Sequence, residues 1–226
     1  MTMLKKLSRQ IIENSRETGW VLEPDAKALM RLAGLDIPDF ILTDSIEAAG
    51  HFLDRAGCPV AAKAVSKKIL HKTEHRAVVT GIASKDHLKR EMERLLALDG
   101  CEKVLIEEMV MGIELIIGAK NDFQFGPVVV FGLGGTAVEV YRDTAVRMAP
   151  LKPGDVVSMV ESLKARDLVL GHRGGQGVNM EALTRMMEAF SCLIIELEHE
   201  IESVDLNPVI CTGEKCIIAD ARIILK

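Results

Sequence analysis

The chain has 226 residues, 48% of them hydrophobic and 27% charged, with 28 basic against 33 acidic side chains and a net charge of −5. That composition excludes extensive disorder, and no apolar run approaches the ~18 residues that span a membrane. An acidic chain with six Phe, one Tyr and one Trp lacks the basic surface and stacking platforms of a nucleic-acid binder. The five cysteines, Cys58, Cys101, Cys192, Cys211 and Cys216, are odd in number and show no C-x-x-C spacing. They argue against a disulfide framework and a zinc site, and for a reducing compartment. The N-terminal segment is basic and amphipathic without an apolar core or cleavage signal, so a cytoplasmic protein with no membrane partner is expected.

Along the chain, Pro24 sits just inside a helix start, Ala26, Leu29, Met30 and Ala33 form its apolar stripe, and Gly34 ends it. The spacing recurs at Ile46, Ala49, Phe52 and Leu53 before Gly57. An apolar strand over 59–65 is interrupted by Lys63, and a charged loop leads to a second strand over 77–82. Leu88, Met92, Leu95 and Leu96 mark a third helix capped by Ser84, and 103–109 reads as another strand. From Gly112 the pattern turns to consecutive strands over 113–119 and 127–131. Helical segments over 155–170 and 181–198 follow, then strands over 204–210 and 216–224. Strands and helices mixed without a βαβ repeat predict an α+β chain of two lobes meeting near residues 108–112.

Three features carry chemistry. Residues 63–76, KAVSKKILHKTEHR, hold five cations and one acid, a local charge of +4 that leaves −9 for the rest. Such a segment invites an anionic ligand, phosphate above all, although it also reads as a solvated loop. Lys63, inside an apolar strand, requires a counter-charge to offset its desolvation. Two glycine clusters, FGLGG (131–135) and GHRGGQG (171–177), could bring backbone N–H groups close to phosphate, with Arg173 as a bidentate partner, or be plain turns. Neither fits the Rossmann or Walker spacing. Finally, Asp205 and Asn207 in VDLNP leave their strand on one face, and Asp220 in ADAR follows thirteen residues after Asn207, where an antiparallel hairpin would set the two opposite each other. Facing oxygens on a sheet suit the Mg²⁺ of a nucleotide, or form an ordinary polar strand face.

The order of these features resembles the ATP-grasp (β) subunits of ADP-forming acyl-CoA synthetases, the acetate–CoA ligases (ADP-forming), from about residue 22 to 224. Its carriers are PVAAKAVS with ILHKTE, the run VLIEEMVMGIELIIGAKNDFQFGPVVVFGLGGTAVEV, RDTAVRMAPL, GHRGGQGVN, VDLNPVI and ADARI. The resemblance implies an ATP-grasp fold of two α+β lobes with the nucleotide site between them: a helical extension over 1–21, a first lobe over 22–110 and a second over 111–226. It implies that Lys63 contacts ATP phosphates and that the backbone of Glu107, Glu108, Met109 and Val110 reads adenine. Glu108 and Glu114 would lie near adenine and ribose, and Asn207 and Asp220 would hold Mg²⁺. His71 would carry the phosphoryl group, and Asp205 would meet it when phosphorylated. Lysines flanking His71 favour its neutral, nucleophilic imidazole, and His75 is its local rival. Where the family has a Gly-Gly pair after the histidine this chain has Arg76–Ala77, and Lys67–Lys68 replaces a Pro-acid pair.

The implied activity is that of an acid–thiol ligase, acyl-CoA + ADP + phosphate ⇌ acid + CoA + ATP, using Mg²⁺ and ADP/ATP. No CoA-binding Rossmann signature is present, so the resemblance implies a CoA-binding α subunit with a second catalytic histidine, in an α2β2 heterotetramer. The alternatives are an ATP-grasp subunit acting with a succinate or malate type of acid, and a non-catalytic nucleotide-sensing module, which would need neither His71 nor Asp205.

Overall fold

The computed structural model describes residues 3–69, 72, 74–135, 143–171 and 176–226. They divide into two compact units, residues 38–110 and residues 1–37 with 111–226.

In the 38–110 unit, β2 (Phe40–Thr43), β5 (Cys101–Glu108), β3 (Val60–Ser66) and β4 (Val78–Ile82) lie in that order as an antiparallel sheet. Helices α3 (Ile46–Ala56) and α4 (Lys85–Leu96) pack on it. Ser45 Oγ accepts from the Ala48 amide at 3.2 Å and Ser84 Oγ from the His87 amide at 3.3 Å, so each helix begins where a hydroxyl satisfies an orphan N–H. Phe52, Leu88, Met92 and Leu95 meet Val60, Ala62, Val104 and Ile106 in the core. Each fully buried large side chain contributes roughly 1.5–3 kcal/mol.

The larger unit is built on a sheet that is seven-stranded among the described residues. β1 (Trp20–Val21), β11 (Ala221–Leu225), β9 (Ile201–Cys211), β6 (Ile113–Asp122), β7 (Gly126–Leu133) and β8 (Thr144–Met148) follow in order, and β10 (Cys216–Ile218) also pairs with β9. Leu115, Ile117, Val129, Phe131, Val204 and Leu206 turn into one core with α2 (Glu23–Leu32), α5 (Pro153–Ser162) and α7 (Met180–Glu196). α1 (Met3–Ser15) and α6 (Arg166–Leu170) complete the unit. Alternate residues put Glu114, Asp205 and Asn207 on the other face, exposed or half-buried.

Several expectations are corrected. Residues 22–37 belong with 111–226: β1 pairs with β11 and α2 packs on β11. The helix expected over 155–170 breaks into α5 and α6, because Leu163 is extended and the Asp143 carboxylate takes the Lys164 and Ala165 amides at 2.9 and 2.8 Å. The closing strand over 216–224 is two strands interrupted at Ala219 and Asp220. β1, β2 and β8 were not expected.

Cysteine usage is also corrected, because Cys211 and Cys216 are register partners on β9 and β10 and form a disulfide. A tight hairpin sets residues five apart face to face, a pairing invisible to the parity and C-x-x-C arguments. Cys58, Cys101 and Cys192 are free, and burial pushes the Cys101 thiol up. Alkylation of the denatured, unreduced chain is therefore expected to label those three and spare Cys211 and Cys216. A loop this short restricts the unfolded chain little, so Cys216→Ser should cost about 2 kcal/mol in urea denaturation. Labelling of all five cysteines before reduction would contradict the bond.

Candidate functional site

The counter-charge that Lys63 requires is Glu107: Nζ lies 2.7 Å from Oε1, and the two side chains are only 7% and 4% exposed. Antiparallel pairing of β3 with β5 sets Ala61 opposite Glu107, which places Lys63 two residues further along the same strand face. Glu107 was expected to serve through its backbone, and its carboxylate role was missed. An acid two residues from the register partner of a strand lysine is the signal that could have found it. Past Glu107, the Glu108 amide donates to the Asp39 carbonyl and the Met109 amide to the Pro59 carbonyl, both at 3.1 Å. The Gly81 amide donates to Met109 Sδ at 2.9 Å. Glu108, Met109 and Val110 are half-buried.

Of the cationic segment after β3, His71 lies outside the described residues, and His75 is exposed. Ser66 Oγ accepts from the Lys68 amide at 3.1 Å and donates to the Asp99 carbonyl at 2.9 Å, while Lys68 Nζ pairs with Asp99 Oδ1 at 2.8 Å. Two of the five cations are thus held in ion pairs, Lys63 with Glu107 and Lys68 with Asp99. Within the segment the Ala77 amide donates to the Lys72 carbonyl, the Ala64 amide of β3 donates to the Ala77 carbonyl at 2.8 Å, and Arg94 Nη1 donates to the Arg76 carbonyl at 2.9 Å. Arg76 has φ +49°, the left-handed region that favours glycine.

In the larger unit the expected hairpin forms. Ile218 pairs with Val209 and Ala221 with Leu206 in one register, so Asp220 falls opposite Asn207. The Ala219 amide donates to the Pro208 carbonyl at 3.0 Å across this gap, and the Asn207–Pro208 peptide is cis. Asp220 Oδ1 accepts from the Ala221 amide at 3.0 Å. Asn207 is exposed and Asp220 half-buried. Among the described residues no cluster of three or more His, Cys, Asp or Glu could hold a metal. One amide and one carboxylate oxygen nevertheless fit Mg²⁺, which keeps waters and takes phosphate oxygens instead of filling an all-protein cage. Asp205, two residues before Asn207 on the same face, pairs with Arg222: Nη2 donates to Oδ2 at 3.0 Å. Arg222 was not among the expected residues, although ADARI places it two residues from Asp220.

The glycine clusters serve first in packing. The Gly134 amide donates to the Glu114 carbonyl at 2.7 Å, and a Cβ there would lie 2.9 Å from the Glu114 backbone. Gly134 is therefore needed to let FGLGG approach Glu114, and its amide is committed there instead of to phosphate. At Gly177 a Cβ would come within 2.5 Å of the Leu170 carbonyl. Arg173 lies outside the described residues.

The sequence model of the ATP-grasp domain matches residues 13–225. The chain is 33% identical to the β subunit of acetate–CoA ligase [ADP-forming] I from Pyrococcus furiosus, over 96% of this chain and 97% of that one. It is 30% identical to 4-hydroxybutyrate–CoA ligase [ADP-forming] from Nitrosopumilus maritimus, over 97% of this chain but 32% of the relative. An acetyl-coenzyme A synthetase 1 from Ca. Korarchaeum cryptofilum superposes with a TM-score of 0.83 and 33% identity, over 97% of this chain and 100% of that one. It was solved with coenzyme A and Mg-AMPPCP, its phosphohistidine segment pointing towards the nucleotide-binding site. A sheet whose open face carries paired oxygens, and a second unit with a buried strand lysine, are thus those of an ATP-grasp protein. Within that class, the chain belongs to the family of ADP-forming acyl-CoA synthetase β subunits.

Proposed function

We propose that the chain is the nucleotide-binding subunit of an ADP-forming acyl-CoA synthetase, converting acyl-CoA, ADP and phosphate to acid, CoA and ATP with His71 as phosphoryl carrier. The register that sets Asn207 opposite Asp220, with Asp205 beside them, carries this reading, because a nucleotide's metal and a phosphoryl acceptor both need fixed oxygens on a rigid sheet. Lys63, held by Glu107, serves the phosphates. With the Glu108 and Met109 amides committed, adenine recognition falls to carbonyl oxygens of the stretch and to Val110. Glu114 serves the ribose, and Arg173 the phosphate. Mg²⁺ bound by Asn207 and Asp220 supplies charge neutralisation on the phosphates.

Transfer itself needs few groups. The N–P bond of phosphohistidine breaks with its electron pair returning to the ring, a nucleotide oxygen takes the phosphorus, and Asp205 accepts a hydrogen bond from the other ring nitrogen. CoA chemistry belongs to a partner. In the Pyrococcus enzyme the equivalent chain is a subunit, and in the Nitrosopumilus enzyme it is about a third of a longer protein. We place the second catalytic histidine on that partner and infer an α2β2 heterotetramer. The relatives' names span acetate and 4-hydroxybutyrate, and we infer that the acyl group is read by the partner. No helix among the described residues is long and apolar enough to cross a membrane. We assign the cytoplasm because ADP, ATP and CoA are drawn from its pools.

Asp220→Ala is expected to weaken Mg-ADP binding by about tenfold or more in calorimetry. Nucleotide binding measured with chelator present should change little. Equal Mg-ADP affinity for variant and wild type would remove Asp220 from the metal.

A further inference from the structure

We infer that Arg222 is a positioning residue for phosphoryl transfer, holding Asp205 in the orientation that receives the phosphorylated histidine. The inference rests on the assignment of Asp205 and His71 above and extends it to a side chain that the resemblance left out.

The argument starts from register. β11 runs antiparallel to β9, and Arg222 is the partner of Asp205; the same register, continued across the gap between β10 and β11, sets Asp220 opposite Asn207. Val204, Leu206, Ala221 and Ile223 between them are buried, so the four polar side chains share one face as two adjacent cross-strand pairs. Arg222 Nη2 donates to Asp205 Oδ2 at 3.0 Å, with the side chains 37% and 39% exposed. An ion pair this accessible contributes little to stability, so its placement beside the metal oxygens asks for another role.

The chemistry supplies one. Rotation of an aspartate carboxylate about its last bond is soft, and a carboxylate fixed through one oxygen presents the other in a defined plane. That defined oxygen is what an imidazole N–H needs while its other nitrogen exchanges the phosphoryl group. Charge points the same way. Asp205 and Asp220 repel an arriving phosphoryl dianion, and the guanidinium beside Asp205 offsets that repulsion without gaining or losing a proton. Arg222 therefore acts through Asp205 and through the local field, while the N–P bond and its electron pair remain with the histidine and the nucleotide.

The test uses the full chain, radiolabelled Mg-ATP and rapid quenching, scoring acid-labile, alkali-stable phosphohistidine. Arg222→Gln is expected to slow His71 labelling by about a hundredfold at saturating nucleotide, with Mg-ADP affinity and melting temperature near wild type. Arg222→Lys, which keeps the charge but not the planar fork, should recover part of the rate. Wild-type labelling rates in Arg222→Gln would overturn the inference, as would a slowing that saturating nucleotide restores or that merely tracks lost stability. No label on the wild-type chain would remove the His71 assignment together with this inference, whereas label on wild type and on the variant at equal rates removes this inference alone.

Discussion

Replacing Glu107 with Ala is expected to destabilise the 38–110 unit by about 3–5 kcal/mol, because it removes the carboxylate that faces the buried Lys63 ammonium. A surface ion pair would cost about 1 kcal/mol or less to break; here 7% and 4% exposure puts both charges out of reach of water. The double variant Lys63→Met with Glu107→Leu should recover the lost stability, since a buried pair replaced by apolar side chains of similar volume is often neutral or stabilising. It should not recover Mg-ADP affinity, since it lacks the cation that we propose serves the phosphates. Urea denaturation and calorimetry on the three proteins separate the effects. A stable Glu107→Ala chain would show that the pair does not hold the unit together, and a double variant that binds nucleotide normally would show that Lys63 does not serve the phosphates.

Much of this arrangement was legible in the sequence wherever the signal was periodic. Alternation along VDLNP placed Asp205 and Asn207 on one face, and the thirteen residues to Asp220 suited a return strand. The helices around Phe52 and Leu88 followed from apolar spacing, the second also from its Ser84 cap. What was hidden depends on pairing between distant strands. The Lys63–Glu107 and Asp205–Arg222 contacts require knowing which strand lies beside which, and the Cys211–Cys216 bond requires the hairpin's register. β1 is two residues long and offers no period, and its pairing with β11 assigns residues 22–37 to the larger unit. The buried pair of Lys27 with Glu23 at 3.0 Å likewise escaped, because α2 was read from its apolar stripe alone. Glycine clusters misled in part, since a chain passing close to Glu114 or Leu170 needs glycine whether or not phosphate is near.

His71→Ala is expected to lower the overall reaction by roughly 10⁴-fold or more while leaving Mg-ADP affinity within about twofold, because in the proposed mechanism the imidazole takes part in transfer and not in holding the nucleotide. The segment is suited to that division of labour. On either side of it, Ser66 Oγ donates to the Asp99 carbonyl at 2.9 Å and the Ala64 amide donates to the Ala77 carbonyl at 2.8 Å, so the residues flanking the segment are anchored. Lys68 Nζ is drawn to Asp99 Oδ1 at 2.8 Å. His75 lies in the same segment and is exposed, so it is the internal control: His75→Ala should retain turnover within a few-fold. With radiolabelled ATP, label stable to alkali and lost in acid should appear on the wild type and on His75→Ala and be absent from His71→Ala. If His71→Ala keeps both label and turnover, the phosphoryl group travels by another route, and residues 63–76 act only as an electrostatic lining for the nucleotide.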